Sequence, residues 1–121
     1  MVKVFIEKKK SKRNEGLDLS VLEEMVGGDK QVMYSLLVEY RDEFIEQTSE
    51  LKLMIQQNHY EELPIVIHKI KPAVSYLGLK ELSDLLDKRE SKTRSISERS
   101  FFVEEIVSQL EWALKEIDKN I

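Results

Sequence analysis

The chain has 121 residues, 41% hydrophobic and 35% charged, with four Gly and two Pro, a composition that suits one helical domain with a single core and excludes a disordered chain. It holds no cysteine, which excludes disulfides, thiol nucleophiles and thiolate metal sites together. Residues 1–13 carry six basic groups (Lys3, Lys8, Lys9, Lys10, Lys12 and Arg13) against Glu7, leaving 13 basic and 22 acidic groups for the remainder, an acidic balance that repels phosphate backbones and argues against nucleic-acid binding.

Residues 1–16 show no helical period beyond Val2, Val4, Phe5 and Ile6, and read as a charged tail or linker. The Met1 to Ile6 run is too short for the apolar region of a secretory signal, and no other run is long enough to span a bilayer. A cytoplasmic chain without membrane insertion is the expectation. From residue 17 to 121 the sequence is periodic. Ser20 and Glu23 have capping-box spacing, and Val21, Leu22, Met25 and Val26 follow as a short apolar face. Gly27-Gly28 ends this segment, because glycine enters the left-handed cap conformation at little cost.

Asp29 is a natural N-cap for a second segment running to about Gln57. Met33, Leu37, Tyr40, Phe44, Thr48, Leu51 and Ile55 recur there in steps of three and four, the stripe of a long helix. Asn58-His59-Tyr60 is too short to do more than fold the next helix back antiparallel. A third segment from about Glu61 to Lys88 has Leu63, Ile67, Ile70, Val74 and Leu77 as its seam. Arg89 to Ser100 is a polar connection in which Ser97 or Ser100 caps the fourth segment. Val103, Ile106, Leu110, Leu114 and Ile117 form the stripe of that segment, widened by Phe102, Val107, Trp112 and Ala113. Amphipathic helices joined by short turns bury their stripes against one another. The expected fold is all-α, an antiparallel up-down four-helix bundle with a short additional N-terminal helix as a lid.

Within the third segment one run departs from plain packing: His68, Lys69, Lys71, Pro72 and Gly78 put polar, cationic and helix-weakening residues in the best amphipathic pattern of the chain. At 100° per residue the seam stays within about 40° of Leu63, while His68 falls near 140°, Lys71 near 80°, Pro72 near 180°, Ser75 near 120° and Leu79 near 160°. His68 therefore points outward, with Pro72, Ser75 and Leu79 beside it as a partly apolar strip for a partner. Pro72 lacks the N–H that would bond the His68 carbonyl, so a kink or a hydrated carbonyl is expected. Gly78 weakens the helix by about 1 kcal/mol relative to alanine, which a close approach by another backbone would explain.

The chemistry open to this histidine is narrow. No carboxylate stands three or four residues from His68, so neither a helical metal-ligand pair nor a base activated by an acid is formed. His59, in a turn, reads as an inert surface residue. Lys69 and Lys71 put positive charge beside the imidazole and favour an anion once one is attached there. A phosphoryl group meets that condition, with Lys71 offering a charge-assisted hydrogen bond.

The run His68-Lys69-Ile70-Lys71-Pro72-Ala73-Val74-Ser75-Tyr76-Leu77-Gly78 resembles the motif of histidine-containing phosphotransfer (HPt) domains: a phosphoacceptor histidine, a lysine three residues on, small residues and a glycine at plus ten. The likeness extends over most of residues 17–120, including the Gly27-Gly28-Asp29 junction. It departs from the commonest pattern at Pro72, where the family has glycine, a change that alters the local backbone. The resemblance implies an antiparallel four-helix bundle that relays phosphate between receiver-domain aspartates without enzymatic activity of its own. His68 would be the phosphoacceptor and Lys71 the phosphate-stabilising residue, with Lys69, Pro72, Ser75, Gly78 and Leu79 docking the partner. Partners would be response-regulator receiver domains and a hybrid sensor histidine kinase. The bundle would be a monomer needing no cofactor or metal, the magnesium ion belonging to the receiver. Two alternatives stand beside it. One is a helical interaction module without chemistry. The other is the dimerisation and phosphoacceptor segment of a histidine kinase, in which an acidic residue follows the histidine where this chain has Lys69.

Overall fold

The structure, a computed structural model, describes residues 17–88 and 96–121. The expected tail at 1–16 and most of the polar connection after Lys88 lie outside the described residues. Among those described the fold is all-helical: α1 (Ser20–Met25), α2 (Lys30–Gln57), α3 (Leu63–Tyr76), α4 (Lys80–Lys88) and α5 (Ile96–Lys119).

The N-terminal end of α1 departs from the expected capping box. Ser20 is the first helical residue, Leu19 occupies the cap position without a side-chain bond, and Asp18 Oδ1 accepts from the Ser20 amide at 3.1 Å and the Ser20 hydroxyl at 2.6 Å. Those two bonds hold the Asp18 carboxyl below the usual carboxylate range. Their contribution is therefore present above the unfolded carboxylate pKa and is lost as pH falls through the lowered folded value. Only Leu22 of α1 is fully buried, whereas Val21 and Met25, expected on its apolar face, are 50% and 55% exposed. Six residues make too short a helix to present a whole face to the core. Gly27 and Gly28 end the segment at φ +63° and +78°, as their sequence predicts.

Asp29 caps α2 as expected, its Oδ1 accepting from the amides of Gln31 and Val32 at 3.0 and 3.2 Å. Asp29→Ala is expected to cost about 1 kcal/mol, as cap deletions generally do, read as a lowered urea midpoint at unchanged slope. The α2 stripe buries Leu37, Phe44, Thr48 and Leu51, with Met33, Tyr40 and Ile55 partly covered. Asn58 closes the helix in the left-handed conformation at φ 55°.

The third segment is not one helix. It breaks at Leu77-Gly78-Leu79 into α3 and α4 through a Schellman closure: the Gly78 amide donates to the Ser75 carbonyl at 3.1 Å and the Leu79 amide to the Val74 carbonyl at 3.0 Å. Gly78 takes φ +67°, which an L-residue with a side chain enters only at a cost. Beyond that point the chain runs in a new direction, and the angular register of α3 no longer applies. Leu79, expected to face outward, is accordingly 6% exposed and packs in the core. The α4 helix buries Leu82, Leu85 and Leu86.

The helices pack as neighbours in the order α2 with α3, α3 with α4, α4 with α5, and α5 back on α2. Arg41 pairs with Asp118 at 3.7 Å and Lys52 with Glu111 at 2.8 Å. As position advances along α2 its partner retreats along α5, so these two helices run antiparallel. Val103, Ile106, Leu110 and Ile117 of α5 are fully buried, and Leu114 packs at the margin of the same core. Two expectations for α5 are corrected. Trp112 is 43% exposed, because its position lies away from the stripe. Ser97 and Ser100 fall inside a helix that is already formed at Ile96, so neither caps it. No described helix is long and apolar enough to cross a membrane, and no cluster of three or more potential metal ligands occurs among the described residues.

Candidate functional site

α3 carries the site because its two sides have opposite character. Val66, Ile67, Ile70, Ala73 and Val74 are buried against the other helices, and Leu77, which caps the helix, is fully buried with them. On the other side Ile65, His68, Lys69, Pro72 and Ser75 are exposed. Ile65, His68, Pro72 and Ser75 recur at steps of three, four and three, so they line one stripe along the helix. The outward position expected for His68, Pro72 and Ser75 is the one observed, whereas Lys71, expected to face out with them, is partly buried. Ile65, 53% exposed, belongs to the same stripe and went unmarked in the sequence, although its offset of three from His68 was a usable signal. Leu79 does not join it.

The helix remains continuous through Pro72. Proline has no amide hydrogen, so the His68 carbonyl has no helical donor at that position. Pro72 is on the exposed side, where water can satisfy that carbonyl. The second proline, Pro64, lies in the first turn of α3, where a missing N–H removes no helical bond.

The two lysines flank the stripe on opposite sides: Lys71 pairs with a carboxylate of α4, and Lys69 acts electrostatically on one of α2. Lys71 Nζ lies 3.3 Å from Asp87 Oδ1 of α4, with the two side chains 40% and 65% exposed. On the other side, Glu43 of α2 is pushed above the usual carboxylate range by partial burial and by the negative charges of Glu39 and Glu46, while Lys69 pulls it back. Next to this carboxylate row the Tyr40 and Tyr76 rings stack with centroids 6.4 Å apart. Partial burial, followed by Tyr76, Glu39 and Glu43, raises the Tyr40 phenol above its ordinary value. Neither Asp87 nor Glu43 was legible as a neighbour of these lysines, since each sits on a different helix from them. In particular, Asp87 faces Lys71 only because the chain turns back at Gly78.

Gly78 does have a backbone pressed against it, and the backbone is the chain's own. A Cβ at this position would lie 2.5 Å from Asp18 Cβ and 2.8 Å from the Asp18 carbonyl oxygen, and the Asp18 amide donates to the Leu77 carbonyl at 3.0 Å. The segment before α1 is thereby fastened to the end of the histidine helix.

The arrangement offers an accessible imidazole on a helix anchored by its opposite face. Cations stand on both sides of it, and an apolar residue lies one turn away in each direction. It can present a nucleophile and stabilise an anion formed there; no second catalytic group is positioned by α3 itself. No protein-family model, curated protein or solved structure matches the chain.

Proposed function

We propose that this chain is a phosphorelay intermediate of the histidine-containing phosphotransfer type, with α2 to α5 forming its antiparallel four-helix bundle and α1 a lid at one end. The observation that carries this reading is the placement of His68: exposed in the middle of a helix whose opposite face is buried, with Lys71 on the next turn. The motif from His68 to Gly78 supplies the chemical identity of the exchanged group.

In the proposed reaction the lone pair of the outward ring nitrogen attacks phosphorus of a receiver's aspartyl phosphate. The N–P bond forms as the P–O bond to the aspartate breaks, and the aspartate leaves as a carboxylate. The reverse step passes the group to a second receiver. The metal ion and most of the charge stabilisation belong to the receiver. This chain contributes position, a nucleophile and a cation, and no turnover of its own. A monomer acting in the cytoplasm with receiver domains, including that of a hybrid sensor kinase, is part of the same proposal, with His68, Lys69, Pro72 and Ser75 on the surface offered to them.

Lys71→Ala is expected to slow transfer or shorten the phosphohistidine lifetime about three- to tenfold, the scale of an exposed charge-assisted contact. Stopped-flow transfer from a phosphorylated receiver and decay of the isolated phosphoprotein measure the two effects. Unchanged rates in both would show the lysine to be incidental. A screen of the chain against candidate receivers, with phosphate followed from one protein to the other, tests the proposal as a whole. The exposed Ile65 beside His68 favours one other reading, an interaction module that docks a partner without chemistry. That reading predicts binding with no transfer to any receiver.

A further inference from the structure

We propose that Asp87 of α4 sets the lifetime of a phosphoryl group on His68 by competing with it for Lys71. The inference rests on the phosphotransfer reading of His68 and goes beyond it, because it assigns a role to a residue outside the histidine helix.

Lys71 stands three positions after His68 and is therefore its neighbour on the helix surface. Its ammonium nevertheless lies 3.3 Å from the Asp87 carboxylate. A lysine offers three donors on a flexible stem, so one ammonium can turn to either side. Because both side chains are substantially exposed, the ion pair is weak and easily exchanged. A phosphoryl group brings roughly −1.5 to −2 charges and three acceptor oxygens, against one charge on Asp87. Phosphorylation of His68 would draw Lys71 away from α4, leaving the Asp87 carboxylate without its cation. Asp87 thus parks the lysine beside the site when the ring is free and opposes its full transfer when the ring is loaded. The result suits a carrier that must discharge, since the phosphorylated state is held less firmly than Lys71 alone would hold it. Asp87 is a positioning residue here, acting through Lys71 and touching no reacting atom.

The test loads His68 without any receiver. The full chain carrying His59→Gln, so that label resides on one histidine, is treated with phosphoramidate. The P–N bond of the reagent breaks, an N–P bond to the ring forms, and ammonia leaves with the ring's proton. Decay of the phosphohistidine signal is then followed by ³¹P NMR. Asp87→Asn is expected to lengthen the lifetime about two- to fivefold, the scale of an exposed ion pair. Asp87→Glu, which keeps the carboxylate, should restore a lifetime near that of the parent. In a Lys71→Ala background Asp87→Asn should have little effect, because the competition has lost its object. Equal lifetimes for the parent and Asp87→Asn, an equal effect of Asp87→Asn with and without Lys71, or no label on His68 would each overturn the assignment. Failure of every receiver to transfer phosphate is a separate result: it removes the phosphorelay reading, while the chemically loaded protein still reports on Asp87.

Discussion

His68→Gln is expected to abolish acid-labile labelling by a phosphorylated receiver while leaving the helical circular dichroism unchanged. The expected loss is complete because the imidazole supplies the only lone pair in the proposed step, and a glutamine amide of similar length is not a nucleophile toward phosphorus. Folding should be indifferent to the change. His68 is exposed on the side of α3 opposite Ile67, Ile70 and Val74, and a substitution at such a place shifts stability by no more than about 0.5 kcal/mol. The paired measurement separates loss of chemistry from loss of fold. Labelling retained by the glutamine variant would end the case for His68, and unfolding of that variant would contradict the placement of its side chain.

The largest effect on stability is expected at Gly78. Alanine there would sit at φ +67°, which costs about 1–2 kcal/mol for an L-residue. It would also place a methyl group 2.5 Å from Asp18 Cβ and 2.8 Å from the Asp18 carbonyl oxygen. Much of that obstruction is backbone and cannot swing aside as a side chain would. Relief requires the segment at Asp18 to lift, breaking its hydrogen bond to the Leu77 carbonyl. A total of about 2–4 kcal/mol is expected, counting conformation and displaced contacts together. Gly28→Ala is the control, since Gly28 also has a positive φ of +78° but nothing within 4 Å of its Cβ position. It should show the conformational cost alone. Urea unfolding of the two variants measures the difference, and equal midpoints would show that the Asp18 approach contributes nothing. Loosening this contact should also free α1, whose first turn is held by Asp18.

Much of the helical framework was legible because its signals are local. The α2 stripe, the Asp29 cap and the Gly27-Gly28 stop each depend on residues within a few positions of one another. The buried seam of α3 and the outward position of His68 followed from the period of a single regular helix. The same arithmetic failed at Leu79, since it carried that period through a glycine that ends the helix. Gly78 was recognised as a place where another backbone comes close, yet nothing local could identify Asp18, sixty positions earlier, as the group that does so. The exposed Val21, Met25 and Trp112 show a related limit: apolar identity permits burial but does not supply a neighbour to be buried against.

The sequence by itself determined the apolar stripes of the long helices, which face of α3 is apolar, and that a lone histidine with lysines beside it stands on the other face. Those properties come from side-chain period, capping chemistry and the missing amide of proline, all short-range. Only the tertiary structure decided that α4 turns back along α3, that Leu79 enters the core, and that Lys71 meets Asp87 while Lys69 lies near Glu43. Such pairings depend on how separate helices settle against each other, and the ion pair is too weak to have directed that packing. The histidine's environment is thus set by hydrophobic contacts on the hidden side of its helix, which bring carboxylates from α2 and α4 to the two flanks of the exposed one.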